Sequence, residues 1–228
     1  MMKFSEVKDK VYEALTEYRD VVNSKMFSTL YTALNQKYDP DVVSAVTQLF
    51  LKNKINPLES LIYAPMNFLA DADIKTIDLK NVQWIESDAF YMSGLESVII
   101  PTSCDQISSN AFYMCFNLKD VKFGPVEMIG MHAFEGTAIK EVSITAPKVS
   151  LRRQSFGACQ NLERVKIDSP VVRISADAFT DCEKLRYFEF PKLSKPQVLV
   201  LDLHFAVSSS GQDLLVNCAD GQFSLKGE

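Results

Sequence analysis

The chain has 228 residues, 47% of them hydrophobic and 23% charged, with a formal net charge of −5. A chain of that length buries roughly 70–75% of its unfolded surface without covalent staples, and the composition excludes disorder over most of its length. Eight glycines and nine prolines exclude a collagen-like or linker-dominated protein, 24 basic against 29 acidic residues argue against a nucleic-acid coat, and two histidines leave little for a histidine-based metal or catalytic site.

The N-terminal stretch MMKFSEVKDKVYEALTEYRD carries charges every few residues and no apolar leader segment, and apolar runs such as Val198 to Leu201 are far shorter than a membrane span. The expectation is an intracellular chain with no membrane span; a surface or virion location stays open. Residues 1–73 read as a helical N-terminal domain or cap. Phe4, Val7, Val11, Leu15, Tyr18 and Val22 follow helical spacing, and Met26, Phe27, Leu30, Tyr31 and Leu34 give a second amphipathic stretch. Asp39-Pro40-Asp41 is a helix-start signal for a third helix through Phe50, and Asn56-Pro57-Leu58-Glu59 repeats that signal with Glu59 placed for a capping box.

From residue 74 the chain repeats itself. A phenylalanine preceded by a small residue recurs as Ala89-Phe90, Ala111-Phe112, Ala133-Phe134, Ser155-Phe156 and Ala178-Phe179. Aligned on these, the columns read L-x-x-V-x-I, a turn, then I-x-x-x-A-F. Val98 and Ile100, Val121 and Phe123, Val142 and Ile144, and Val165 and Ile167 fill the strand columns. A period of two predicts a short strand there, and the Ala-Phe segment predicts a tight helical or 3₁₀ corner with the ring inward. One such unit cannot bury its apolar side, so stacked units form a solenoid of about five repeats over 74–190, an α+β architecture with its flanks. Residues 191–228 leave the pattern. Val198 to Val207 alternates and predicts a strand, Ser208 to Gly211 a loop, and Ala219-Asp220-Gly221 marks a hairpin, together a β cap.

The segment Leu95-Glu96-Ser97-Val98-Ile99-Ile100-Pro101, followed by Ile107-Ser108-Ser109-Asn110-Ala111-Phe112-Tyr113-Met114-Cys115, resembles the BspA-like leucine-rich repeat family. The resemblance covers about residues 74–190 and rests on five columns in five repeats. The asparagine ladder of ribonuclease-inhibitor-like repeats is absent, with Ser103 where it would stand. The resemblance implies a surface or secreted adhesion and interaction protein, although the chain shows no leader.

No catalytic, cofactor or metal residues emerge. Cys115, Cys159 and Cys182 fall in one repeat column and Cys104 in another with Val82, Val126 and Val171, so the cysteines read as small buried fillers and free thiols. No C-x-x-C pair exists, and a bridge between Cys159 and Cys182 of neighbouring repeats is sterically conceivable. His132 shares a column with Asp88, Asn110, Gln154 and Asp177 that reads as exposed and polar, and His204 lies near no implied nucleophile.

What remains is surface. The residues alternating with the inward Val and Ile columns vary freely. From them come the partner-binding candidates Ile99, Asp120, Lys122, Glu141, Arg164, Lys166 and Tyr187. The expected function is a non-catalytic protein–protein interaction module that uses the strand face, with a protein partner, no nucleic acid, no cofactor and an open oligomeric state. The alternative is a virion or cell-surface assembly protein that self-associates through its helical domain or its C-terminal strands.

Overall fold

The computed structural model of the chain describes residues 4–201, 203 and 213–226. Helices α1 (Phe4–Glu17), α2 (Arg19–Asn23), α3 (Phe27–Lys37) and α4 (Pro40–Lys52) lead into a 3₁₀ turn at Pro57–Glu59. Pro40 takes the first helical position as expected, but Asp39 makes no capping bond and its carboxylate pairs with Lys10 at 3.2 Å. The second start signal yields a single turn, in which the Asn56 side chain accepts from the Leu58 N–H.

Two ladders of parallel strands follow. Strands β1 (Tyr63–Ala64), β2 (Trp84–Ile85), β4 (Gln106–Ile107), β6 (Met128–Ile129), β8 (Val149–Leu151) and β10 (Val172–Ile174) form a six-stranded sheet. The expected V-x-I strands form the other face. Of these, β3 (Ser97–Ile99) and β5 (Asp120–Lys122) pair with each other, while β7 (Glu141–Thr145), β9 (Arg164–Asp168) and β11 (Tyr187–Phe190) form a sheet extended by β12 (Leu214–Cys218) and β13 (Gly221–Leu225). Residues Ile77 to Leu79 form no strand.

Between the sheets the phenylalanines stack. Phe90, Phe112, Phe134, Phe156 and Phe179 are at most 1% exposed, with successive ring centroids 5.0, 4.9, 5.3 and 5.7 Å apart and planes within 10°. Each buried ring makes offset-stacked contact with its copy one turn on, worth about 0.5–1.5 kcal/mol beyond its burial. The corners carrying these rings are successions of turns rather than helices. Two residues in most corners have left-handed backbone, such as Asp88 (φ 59°) and Met92 (φ 52°), then Asn110 and Met114, then His132 and Gly136. Such residues interrupt any helix, and Asn and Asp tolerate the conformation best. The column holding His132 is therefore a half-buried conformational position and not the exposed one expected.

The solenoid begins one turn earlier than residue 74. Leu69 N–H donates to the Ala89 carbonyl as Phe90 N–H donates to that of Ala111 and Phe112 N–H to that of Ala133. Leu69 thus holds the phenylalanine place and Phe68 the alanine place, a swap that removes the Ala-Phe signature from this turn. Phe68 still meets Phe90 edge-on at 6.1 Å.

The expected strand over Val198 to Val207 is overturned where it is described: Lys195–Leu199 is a short helix, α5, with a capping box between Ser194 and Gln197 and Pro196 in its first turn. Those start signals outweigh the alternation. Residues 204–207, His204 and the loop at 208–211 lie outside the described residues. The hairpin over Ala219-Asp220 forms, and β12 pairs in parallel with β11, so the hairpin continues the strand-face sheet. One buried core runs from Ala14 of α1 to Val216 of β12.

Candidate functional site

All seven partner-binding candidates lie on outward positions of the strand face, but the structure sorts them into two groups. The five-stranded sheet and the β3–β5 pair are not bonded to each other. The break falls where Phe123 replaces an aliphatic residue and turns its ring edge-on to Phe134 at 5.4 Å and Phe156 at 6.3 Å. Val121 beside it is half-buried where Val98, Val142 and Val165 are buried. Gly124 follows at a crossing so close that an added Cβ would stand 2.4 Å from the Pro101 carbonyl oxygen.

On the first side of the break stand Ile99, Asp120 and Lys122. Ile99 is 62% exposed, and its cross-strand partner is Lys122. Among the described residues neither Asp120 nor Lys122 makes an ion pair.

On the second side the register brings Glu141, Arg164 and Tyr187 into one row and Ser143, Lys166 and Glu189 into the next. The Arg164 guanidinium lies 3.8 Å from Glu141 and 3.2 Å from Glu189, and Lys166 reaches the other oxygen of Glu189 at 3.3 Å. The same guanidinium sits 4.8 Å from the centre of the Tyr187 ring. Isolated exposed pairs contribute about 0–1 kcal/mol. Here one carboxylate holds two cations while an aromatic face supports one of them, so each contact restricts the rotamers of its neighbours. The product is a flat, ordered patch of mixed charge. Glu189 is the hub of this patch and was not among the seven; its signal was its place in the same outward column as Lys166.

The thiol column does more than fill space. Cys115 donates to the Phe90 carbonyl at 3.0 Å, Cys159 to that of Phe134 at 3.2 Å and Cys182 to that of Phe156 at 3.0 Å. Ser93 and Thr137 fill the same column and touch Cys115 and Cys159 at 3.4 and 3.3 Å. Burial pushes the Cys115 thiol up to about 11 and the Cys104 thiol up to about 12. Cys182 is raised too, first by its hydrogen bond with Cys159 and then by burial. The raised thiols of Cys115 and Cys182 stay protonated, which suits donors and makes them poor nucleophiles. Val171, expected in a buried column with Cys104, is instead 51% exposed. Ser169 and Ala146 take the interior places in the last two turns, and the Ser169 hydroxyl donates to the Val171 carbonyl at 2.9 Å.

Two further features concern surface chemistry. An apolar trough of about 1010 Å³ lies between α1 and α4, lined by Val7, Val11, Tyr12, Leu15, Leu49 and Ile74 among others. Among the described residues no helix is long and apolar enough to cross a membrane, and no group of three His, Cys, Asp or Glu residues could hold a metal ion.

A family model described as the BspA type leucine rich repeat region (6 copies) matches residues 52–163 and 83–197, well over half of the chain. Its start at residue 52 agrees with the early turn around Leu69 and extends the resemblance beyond the span expected from the sequence. Among solved structures, the chain is similar to a leucine rich cell surface protein from Faecalibacterium prausnitzii at 26% identity and a TM-score of 0.50, covering 57% of this chain and 35% of that one. It is also similar to a leucine-rich repeat protein from Bacteroides ovatus at 21% identity and a TM-score of 0.35, covering 52% of this chain and 40% of that one. No curated protein matches the sequence.

Proposed function

The chain belongs to the BspA-type leucine-rich repeat family, and on that premise we propose that it is a protein–protein interaction module without catalytic activity whose recognition surface is the outward face of β7, β9 and β11. The observation that carries this reading is the linked array of Glu141, Arg164, Lys166, Tyr187 and Glu189. Tyr and Arg are the residue types that anchor interfaces, and side chains already held by one another lose less freedom when a partner docks. Ile99, Asp120 and Lys122 lie across the break on the separate β3–β5 pair and are not part of this proposed surface. The cell-surface location stated for the Faecalibacterium neighbour supports a role outside the cytoplasm for this chain as well.

The test uses the wild-type protein as bait on native extract, with retained proteins quantified against two variants. Reversing Arg164 and Lys166 to Glu would crowd four carboxylates together with Glu141 and Glu189, so the neutral pair R164Q/K166Q is used. Partners lost about tenfold with R164Q/K166Q and kept with K122Q are the expected result, since desolvated interfacial charges act strongly and distant ones do not. Equal retention by both variants places recognition elsewhere.

A second reading is assembly of like chains through the helical region, and the trough between α1 and α4 favours it. Light scattering separates the two: a discrete oligomer that Leu49→Asp dissolves supports assembly, and a monomer supports the binding module.

A further inference from the structure

The six-stranded sheet carries a surface that the strand face does not share. Its outward column runs in register across all six strands, through Tyr63, Trp84, Gln106, Met128, Ser150 and Arg173. At about 4.8 Å per strand the column is about 24 Å long. Its two ends differ in chemistry. At one end the rings of Tyr63 and Trp84 stack at 5.2 Å with planes 5° apart. At the other end a cleft of about 470 Å³ opens, with Met128, Val149 and Ser150 along it and the exposed Val171 at its side.

The charges of this cleft are of two kinds. Lys148 is held by Glu127 at 2.9 Å, and the neighbouring Arg153 by Asp177 at 3.2 Å. Arg152 and Arg173 line or border the same cleft, are exposed, and make no ion pair among the described residues. They sit on adjacent turns, since Arg173 is in register with Ser150 and Arg152 directly follows β8. In the β7–β9–β11 patch Arg164 and Lys166 are both matched by Glu189; here two guanidiniums are left over in a chain whose net charge is −5.

We propose that this column is a docking groove for an extended peptide segment of a protein partner, acidic at one end. Carboxylates of the segment meet Arg152 and Arg173, whose planar forks match that group bidentately. The rest of the segment runs over Met128 and Gln106 toward Trp84. An extended chain rises about 3.3 Å per residue, so about seven residues span the column. The charge pattern favours a peptide over a uniform polyanion. Glu127 is held by Lys148, so unpaired positive charge is confined to the Arg152–Arg173 end of the column, and a polysaccharide sulfated along its whole length meets only uncharged Met128 and Gln106, flanked by Asp105, beyond it. A segment acidic only at the end that meets the two arginines matches that distribution.

The experiment is selection of displayed random seven-residue peptides on the full chain. Enriched sequences are expected to carry Asp or Glu clustered at one end, and to lose about tenfold or more in affinity for R152E/R173E, as expected when an interfacial charge is reversed. They are expected to bind K122Q as they bind wild type. The single tryptophan of the chain, Trp84, supplies a second readout: a selected peptide should shift its emission, and should do so in wild type but not in R152E/R173E. Because the reversal sets two further carboxylates beside Asp105 and Glu127, the neutral pair R152Q/R173Q is measured alongside it; both arginines are exposed, so its thermal midpoint should match wild type while its binding of the selected peptides falls, which keeps a binding loss interpretable. Selection of peptides without acidic residues overturns the proposal, as does binding that survives the double reversal or leaves Trp84 emission unchanged. So does retention on heparin that the double reversal abolishes while no peptide is enriched, which would assign the cleft to a sulfated polysaccharide.

Discussion

The solenoid and the helical region bury their apolar residues in different ways. In the solenoid one residue type recurs in one place, and each ring packs on its own copy a turn away. In α1 to α4 burial depends on individual contacts, such as Phe27 edge-on to Phe50 at 5.5 Å and the Tyr31 hydroxyl bonded to Thr47 at 2.8 Å. No copy of these contacts exists to close a gap, and the trough between α1 and α4 stays open. Repetition gives uniform closure wherever a neighbour exists; single contacts close only what they touch. The helical region still closes the first end of the stack, because Phe68 and Leu69 are fully buried against it and Phe90 is 0% exposed.

Phe134→Ala makes the largest break in that comparison. It removes a ring from mid-stack and is expected to cost about 3–5 kcal/mol in urea unfolding. Phe90→Ala, at the end covered by Phe68, should cost a similar amount. A clearly smaller loss at Phe90 would mean that the helical region covers the stack without packing on it.

A smaller effect of opposite sign is expected at Ser155. It stands where four other turns have Ala89, Ala111, Ala133 and Ala178, and its hydroxyl is buried without a hydrogen-bond partner among the described residues. Ser155→Ala restores the repeated residue and should raise stability by about 1 kcal/mol. A loss of stability on calorimetry would show that the hydroxyl has a role in the corner.

The smallest effect concerns Asp88, whose carboxyl is raised by burial, an effect that the Asn110 amide at 3.1 Å opposes. A carboxyl raised in the folded state opposes folding once ionised: it is neutral below the ordinary range near pH 4 and its cost appears as pH climbs through the raised value. Asp88→Asn keeps a residue that tolerates φ 59°. It should raise the urea midpoint slightly at pH 7 and leave it unchanged at pH 3. An equal shift at both pH values would assign the gain to something other than charge.

Much of this architecture was legible because the solenoid writes itself five times. The inward columns, the ring stack and the two-residue strand period could be read from Ala89-Phe90 and its copies alone. What was not legible lay where one turn departs from its copies. Leu69 hid the first turn by exchanging places with Phe68. Phe123 broke the strand-face sheet without disturbing the sequence register. The short helix at Lys195 to Leu199 read as a strand because its capping signals sat beside an alternating run. The candidate patch was half legible: an outward column can be read from alternation, but that Glu189 joins Arg164 to Lys166 depends on side-chain reach between strands. That Arg152 and Arg173 lack an ion pair is not legible in the sequence, because it depends on which side chains reach one another between turns.

The strictly neighbour-to-neighbour stacking of the turns has a mechanical consequence. A pull applied between the two ends of the solenoid loads the backbone bonds that join one turn to the next, and each turn is held only by the turns beside it. Failure should therefore start at an end and pass inward one turn at a time. Each turn that lets go frees a segment the length of the phenylalanine spacing, which adds about 75 Å of slack at full extension. For a chain anchored at one end and gripped at the other, such stepwise give would keep the grip intact while force is shed in equal portions.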